Sequence, residues 1–226
     1  MLRNLGTMKK NEKFVITINR EMGSGGRTIG RKLADKLGVE FYYKSVLKGL
    51  QKEFNLTAEE IEKQKGREQG WWADIKRQLV GSVVSSNPYL PMVANDADLL
   101  DTDEVFMVET EILRGIAEDE SCVIAGRSAF YIFRDHPNHL NILIQASMEQ
   151  RIKRVIKKRN ISREEALNII KEVDKGRESY INKYTGTSRY DTRNYDLVVN
   201  MDRHTEDQVV DIIMNYLQEI EPEEFY

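Results

Sequence analysis

From Glu21 to Thr28 the chain reads E-M-G-S-G-G-R-T, with glycines at 23, 25 and 26. The apolar run K-F-V-I-T-I-N (13–19) leads into this stretch, and Ile29, Leu33 and Leu37 follow at helical spacing up to Gly38. A glycine-rich turn between a strand and a helix exposes successive backbone N–H groups and adds the positive end of the helix. The chemistry this predicts is anion binding. Arg27 supplies a cation for outer phosphates, and Thr28 supplies a hydroxyl that can ligate Mg²⁺. The nucleotide phosphate loop follows G-x-x-x-x-G-K-[ST]. Gly26 and Thr28 match it, whereas Glu21 stands at the first glycine and Arg27 at the lysine. A dinucleotide loop fits less well. It needs glycine where Thr28 stands and an acid at the end of the second strand, where Tyr42 and Tyr43 stand. The remaining reading is a flexible turn that holds nothing.

A second set of cations lies further on, in M-E-Q-R-I-K-R-V-I-K-K-R-N (148–160). Met148, Ile152, Val155 and Ile156 make an apolar stripe, with Arg151, Arg154 and Lys158 on another face. In 162–186, Ile170, Val173, Asp174, Arg177, Tyr180, Ile181 and Tyr184 share one side. A charged stripe is ordinarily a solvated helix face. Two arginine-bearing helices beside a phosphate loop suit a different use. Phosphoryl transfer spreads negative charge over the moving group, and positioned arginines stabilise it.

The elements that would position these groups are legible. Five short apolar runs, at 13–19, 39–43, 121–126, 141–146 and 195–200, are nearly continuous instead of alternating, as strands buried on both faces are. Helical patterns separate them, which predicts a parallel sheet with right-handed crossovers. Thr57 with Glu60, Ser162 with Glu165 and Thr205 with Gln208 fit capping boxes. The segment 103–119 is amphipathic. Residues 44–120 are far more than a simple crossover needs, so a mostly helical insert is expected there. Residues 1–12 read as a mobile tail and 13–226 as a single domain.

The chain has 226 residues, 40% hydrophobic and 31% charged, enough for a buried core and a charged surface. Its net charge of −3 gives no bulk argument for nucleic acid. No apolar stretch approaches the length that crosses a bilayer. The single cysteine, Cys122, sits in an apolar run and reads as a core thiol, compatible with a reducing cytoplasm. Trp71 and Trp72 read as core by default.

Taken together, "ITINREMGSGGRTIG", "VIAGRSAFYIFRDHPN", "LIQASMEQRIKRV", "NISREEALNIIKEVDKGR" and "RNYDLVVN" resemble the cytidylate kinase-like branch of the nucleoside monophosphate kinases, over about 13–218. That resemblance implies a three-layer α/β/α phosphate-loop kinase fold with a five-stranded parallel sheet, an acceptor-binding insert at 44–120 and a lid around 157–192. It implies ATP and Mg²⁺ as cofactors and makes Gly23, Ser24, Gly25, Gly26, Arg27 and Thr28 the ATP phosphate loop, with Thr28 on the metal. Arg127 would hold the acceptor monophosphate; Arg151, Arg154 and Arg177 would join Arg27 around the transferring group. The chain departs from the family pattern where Ala125 and Ser128 flank Gly126-Arg127 in place of two acids, and where Tyr43 replaces an aspartate. The activity so implied is ATP-dependent phosphorylation of a nucleoside monophosphate, CMP or dCMP favoured, in the cytoplasm, with nucleotides as partners and neither nucleic acid nor membrane. A regulatory nucleotide-binding protein with the same fold and little catalysis is the alternative.

Overall fold

The computed structural model describes residues 12–43 and 103–219. The expectations for Thr57, Glu60, Trp71 and Trp72, and for most of the 44–120 insert, lie outside the described residues. The chain divides into two compact units. One comprises Met1–Tyr42 with Ser121–Tyr226, and the other Tyr43–Glu120. In the second unit, helix α2 (Asp103–Asp119) takes the span that its pattern predicts, with Val108, Ile112 and Ile116 buried at helical spacing.

The first unit follows the alternation in the sequence. In chain order come β1 (Val15–Arg20), α1 (Gly26–Leu37), β2 (Glu40–Tyr43), β3 (Cys122–Ala125), α3 (Ala129–Ile132), β4 (His139–Gln145), α4 (Met148–Arg159), α5 (Arg163–Thr185), a 3₁₀ turn (Thr192–Asn194), β5 (Leu197–Asn200) and α6 (Glu206–Glu219). The five strands form one sheet in the order β2-β3-β1-β4-β5. β1 runs parallel to β3 and to β4, with Ile18 opposite Ala125 and Arg20 opposite Ile144, and β4 runs parallel to β5. The central strands β1, β3 and β4 are buried almost throughout, as their apolar runs predict. The edges differ: β2 and β5 each bury one residue fully, because an edge strand is covered by fewer neighbours.

The two faces of the sheet are chemically unlike. One is apolar: Ile16, Ile18, Ile142 and Ile144 meet Ile29 and Leu33 of α1 and Val209 and Ile213 of α6. On the rim of this layer, Lys32 and Lys36 of α1 pair with Asp207 and Asp211 of α6, each at 2.6 Å. The other face carries Thr17, Asn19 and Asn141, all buried. They are satisfied within the fold, as buried polar groups must be. The Thr17 hydroxyl donates to Asn141 Oδ1 at 2.7 Å. Asn19 Nδ2 donates to the Tyr195 hydroxyl at 2.5 Å, and that hydroxyl donates to the Arg189 carbonyl at 2.7 Å. Phe130, Leu143, Ile181 and Tyr195 pack beside this network. The polar face thus anchors α5 and the chain returning from it, at the carboxyl end of the sheet where α/β proteins gather ligands.

The helix ends follow their chemistry. Gly38 ends α1 in the left-handed conformation, φ +69°. Ser162 and Glu165 form the reciprocal capping box. Thr205 and Gln208 bond each other's backbone N–H in the same way, at 2.9 and 3.2 Å. Cys122 is buried. Among the described residues no helix is long and apolar enough to cross a membrane.

Candidate phosphate-binding site

The turn after β1 has the cradle form. Gly23 and Gly25 sit at φ +84° and +90°, where a side chain is strained. Close approach adds to that: a Cβ at Gly23 would stand 2.8 Å from the Arg151 carbonyl oxygen, and one at Gly25 would stand 2.9 Å from Arg154 Nη1. Gly25 precedes α1 without a capping side chain, so the positive end of the helix faces the turn. Ser24 is fully buried, and its N–H and hydroxyl both donate to the Glu21 carbonyl, at 3.3 and 3.0 Å. Ser24 therefore shapes the turn from inside.

Glu21, which breaks the glycine pattern, has a structural use. Its Oε2 accepts from Ala146 N–H at 3.0 Å, tying the loop to the end of β4, while its Oε1 lies 3.3 Å from Arg151 Nη1. Arg151 is buried and serves the loop backbone. Its Nε donates to the Met22 carbonyl at 2.8 Å, and its Nη2 pairs with Asp174 of α5. Asp174 Oδ1 in turn accepts from Met22 N–H at 2.9 Å. One residue at the start of the loop, Met22, is thus held by both its N–H and its C=O by an arginine–aspartate pair from two helices. Arg177 and Arg189 complete the cluster. Each has an Nη1 3.7 Å from Asp174 Oδ1, and both donate to the Arg20 carbonyl, Arg177 at 3.3 Å.

A second group of cations lies on the open side. Arg154 of α4 lies over Gly25 and is gripped by Glu206 at 2.6 and 2.9 Å. One turn further on, partial burial and the charges of Arg27, Arg159 and Arg154 hold the Lys158 ammonium below its usual range. Cations this close repel one another, and a polyanion relieves the repulsion. Arg27, Arg154 and Lys158 therefore suit a polyphosphate at the mouth of α1. Thr28 is exposed on the first turn of that helix.

At the end of β3 the chain makes a second turn. Gly126, Arg127 and Ser128 all lie in the left-handed region, at φ +79°, +58° and +56°. For the two non-glycine residues this costs roughly 1–3 kcal/mol each, a strain typical of functional sites. The turn lifts Arg127 over the Tyr180 ring of α5, with the guanidinium carbon 5.1 Å from the centroid and Nη2 donating to the hydroxyl at 3.3 Å.

The six expected loop residues, Arg27 among them, are contiguous in one cradle, and Arg154 borders it. Arg151 and Arg177 are engaged beneath it with Asp174 and backbone carbonyls, and Arg127 stands at the neighbouring strand end against α5. Pattern reading missed Arg189, Glu206 and the side chain of Arg20. Arg189 sits in the aperiodic stretch G-T-S-R-Y-D, and nothing local marks it as fully buried. Glu206 follows the Thr205 cap and reads as an ordinary first-turn acid.

The residues fit an ATP polyphosphate: a glycine cradle, a helix mouth and crowded cations. For Mg²⁺ the fit is narrower. Among the described residues no three metal-binding side chains cluster. Glu21 and Asp174 are bound to Arg151. Thr28 is the hydroxyl on offer, and Mg²⁺ commonly completes its octahedron with substrate phosphates and water.

A five-stranded parallel sheet with helices on both faces and a glycine cradle after its first strand defines the class: an α/β phosphate-loop kinase fold. Within that class, the sequence pattern of the cytidylate kinase-like family matches residues 15–203, and the chain belongs to that family. It is similar to the cytidylate kinase of Pyrococcus horikoshii, 25% identical over 213 residues that cover 93% of this chain and 92% of that one. The cytidylate kinase of Methanopyrus kandleri is 27% identical over 208 residues, covering 88% and 90%. Among solved structures, an uncharacterized protein from Eubacterium ventriosum superposes with a TM-score of 0.64 at 25% identity, over 91% of this chain and 99% of that one.

Proposed function

We propose that the protein transfers a phosphoryl group from ATP to a nucleoside monophosphate, with CMP or dCMP the preferred acceptor. The observation that carries the reading is the glycine cradle at the mouth of α1, with Arg27 in its turn, Arg154 over Gly25 and Lys158 near both cations. The family membership and the archaeal cytidylate kinases support the acceptor class. The loop backbone and Arg27 bind the donor phosphates, and arginine can grip them bidentately. Arg154, fixed by Glu206, covers the outer phosphates. Arg127 orients the acceptor monophosphate, and an acceptor oxygen displaces ADP from the γ-phosphorus. Arg177 faces this region from α5. Mg²⁺, with Thr28 among its ligands, would neutralise charge on the donor phosphates when bound. Residues 44–120 would carry the acceptor base, and 157–192 would exclude water, which otherwise accepts the phosphoryl group.

A second reading, a nucleotide-binding regulator with little turnover, draws on the replacement of two flanking acids by Ala125 and Ser128 and on the engagement of Arg151 and Arg177 within the fold. A coupled ADP-release assay over a panel of nucleoside monophosphates, with ATP alone as control, decides between them. Acceptor-dependent release that is fastest with CMP or dCMP is expected. ATP binding without acceptor-dependent release favours the regulator.

A further inference from the structure

Arg20 ends β1, one residue before the phosphate-loop pattern begins, and neither the loop chemistry nor the acceptor turn uses it. Its side chain nevertheless runs between the two. A Cβ at Gly26, the first residue of α1, would stand 2.5 Å from Arg20 Cβ and 3.1 Å from its Cγ. A Cβ at Gly126, on the acceptor turn, would overlap Arg20 Nη1 and stand 3.0 Å from the guanidinium carbon. The stem therefore lies against the mouth of the donor helix, and the guanidinium lies directly on the backbone at the end of β3, one residue from Arg127. Both glycines leave room for this one side chain.

The backbone of Arg20 is held with equal firmness. Its carbonyl accepts from Arg177 and Arg189, and its N–H donates to Asn19 Oδ1 at 2.9 Å. Arg189 is fully buried beneath the strand end; its Nε and Nη1 make no hydrogen bond among the described residues, and Nη1 lies 3.7 Å from Asp174 Oδ1. A guanidinium fixed at its root thus spans from the glycine cradle to the turn after β3.

Resting on the reading that the protein is a phosphotransferase, we propose that Arg20 is a catalytic residue that contacts the phosphoryl group in transit. It stabilises the charge that spreads over the equatorial oxygens while the bond to the ADP oxygen breaks and the bond to the acceptor oxygen forms. Arg20 binds donor and acceptor together better than it binds either alone.

The test uses Arg20→Met, which keeps the stem between the glycines and removes the charge, beside Arg20→Ala and Arg20→Lys. The probe is adenosine joined to cytidine through five phosphates, titrated by calorimetry together with ATP and CMP separately. For Arg20→Met the linked probe is expected to bind about 10- to 100-fold more weakly, with ATP and CMP each within about threefold of the unaltered protein. Its kcat is expected to fall roughly 10²–10³-fold with KM values nearly unchanged, and Arg20→Lys to recover part of the loss. Normal probe affinity and kcat in Arg20→Met, with a defect confined to Arg20→Ala and accompanied by a lower melting temperature, would make Arg20 a packing residue and overturn the proposal. An unaltered protein that binds neither nucleotide nor probe overturns the phosphotransferase reading, and this role with it, and that failure is distinct from a normal Arg20→Met.

Discussion

Among the described residues, Arg20, Arg27, Arg151, Arg154, Arg177 and Arg189 lie in or around the phosphate loop, and their partners separate their roles. Arg151 is buried beneath the loop, with its guanidinium divided between the Met22 carbonyl, Asp174 and Glu21. Arg154, three residues on, is half-exposed above the loop and has one acid, Glu206. Removing one partner of a buried ion pair leaves an uncompensated charge, which costs about 3–5 kcal/mol. The half-exposed Arg154 pair is worth far less to stability, on the order of 1 kcal/mol or below. Arg151→Ala is therefore expected to lower the melting temperature sharply. Arg154→Ala and Arg27→Ala should leave it nearly unchanged and instead weaken ATP binding about tenfold or more, since a charge-assisted phosphate contact contributes a few kcal/mol. Thermal melts and calorimetric ATP titrations of the three variants check this. Unimpaired ATP affinity in Arg27→Ala and Arg154→Ala together would remove the cradle from the donor site.

At the scale of elements, the loop is built jointly by β1, α4 and α5, and Asp174 joins the last of these to the first. Its Oδ1 accepts from Met22 N–H while its Oδ2 holds Arg151. Asp174→Asn keeps the shape and weakens both contacts, because an amide oxygen accepts less strongly and its NH₂ is repelled by the arginine donors. The expected outcome is a weaker grip on ATP with the nucleoside monophosphate still bound, and faster amide exchange at Met22 and Gly23. Unchanged exchange there would show that the cradle keeps its form without α5. The order of strands and helices was legible because buried parallel strands and amphipathic helices leave periodic signals, and capping boxes mark where helices start. The short helix at Ala129–Ile132 was not, since four residues carry no period. The cradle was legible from glycine spacing alone. The Arg151–Asp174–Glu21 cluster was not: its partners are far apart in the chain, and a buried arginine has the same letter as a solvated one. Glu21 looked like a missing glycine because its contact with Ala146 exists only once β1 and β4 are paired.

The whole molecule carries titrating groups whose folded-state shifts set its stability against pH. Burial holds the half-buried His136 imidazole below its ordinary value near 6.5. The unfolded chain then takes up that proton first, so stability is full above about pH 6.5 and declines as the pH falls below it. Further down, Arg163 holds Glu149, Ser162 holds Glu165 and Arg193 holds Asp191 below the usual carboxylate range. Their contributions are present above about pH 4 and vanish as the pH falls through the lowered folded values. On the alkaline side, burial pushes the Tyr195 phenol up. The unfolded phenol ionises near pH 10, so the folded state, which keeps its proton, loses ground as the pH rises beyond that. The melting temperature should therefore be flat between about pH 7 and pH 9 and fall on both sides. His136→Asn keeps a neutral polar side chain and should flatten the segment between about pH 6.5 and pH 5 while leaving the steeper loss near pH 4 in place. Tyr195→Phe should lessen the alkaline decline, to which the raised Tyr190 and Tyr216 phenols also contribute, at the cost of the hydroxyl's bonds to Asn19 and the Arg189 carbonyl, and so should start from a lower plateau. Melting curves of the three proteins at half-unit steps from pH 3.5 to 11 test both assignments. An acid limb in His136→Asn that superposes on the unaltered one would place the first proton elsewhere.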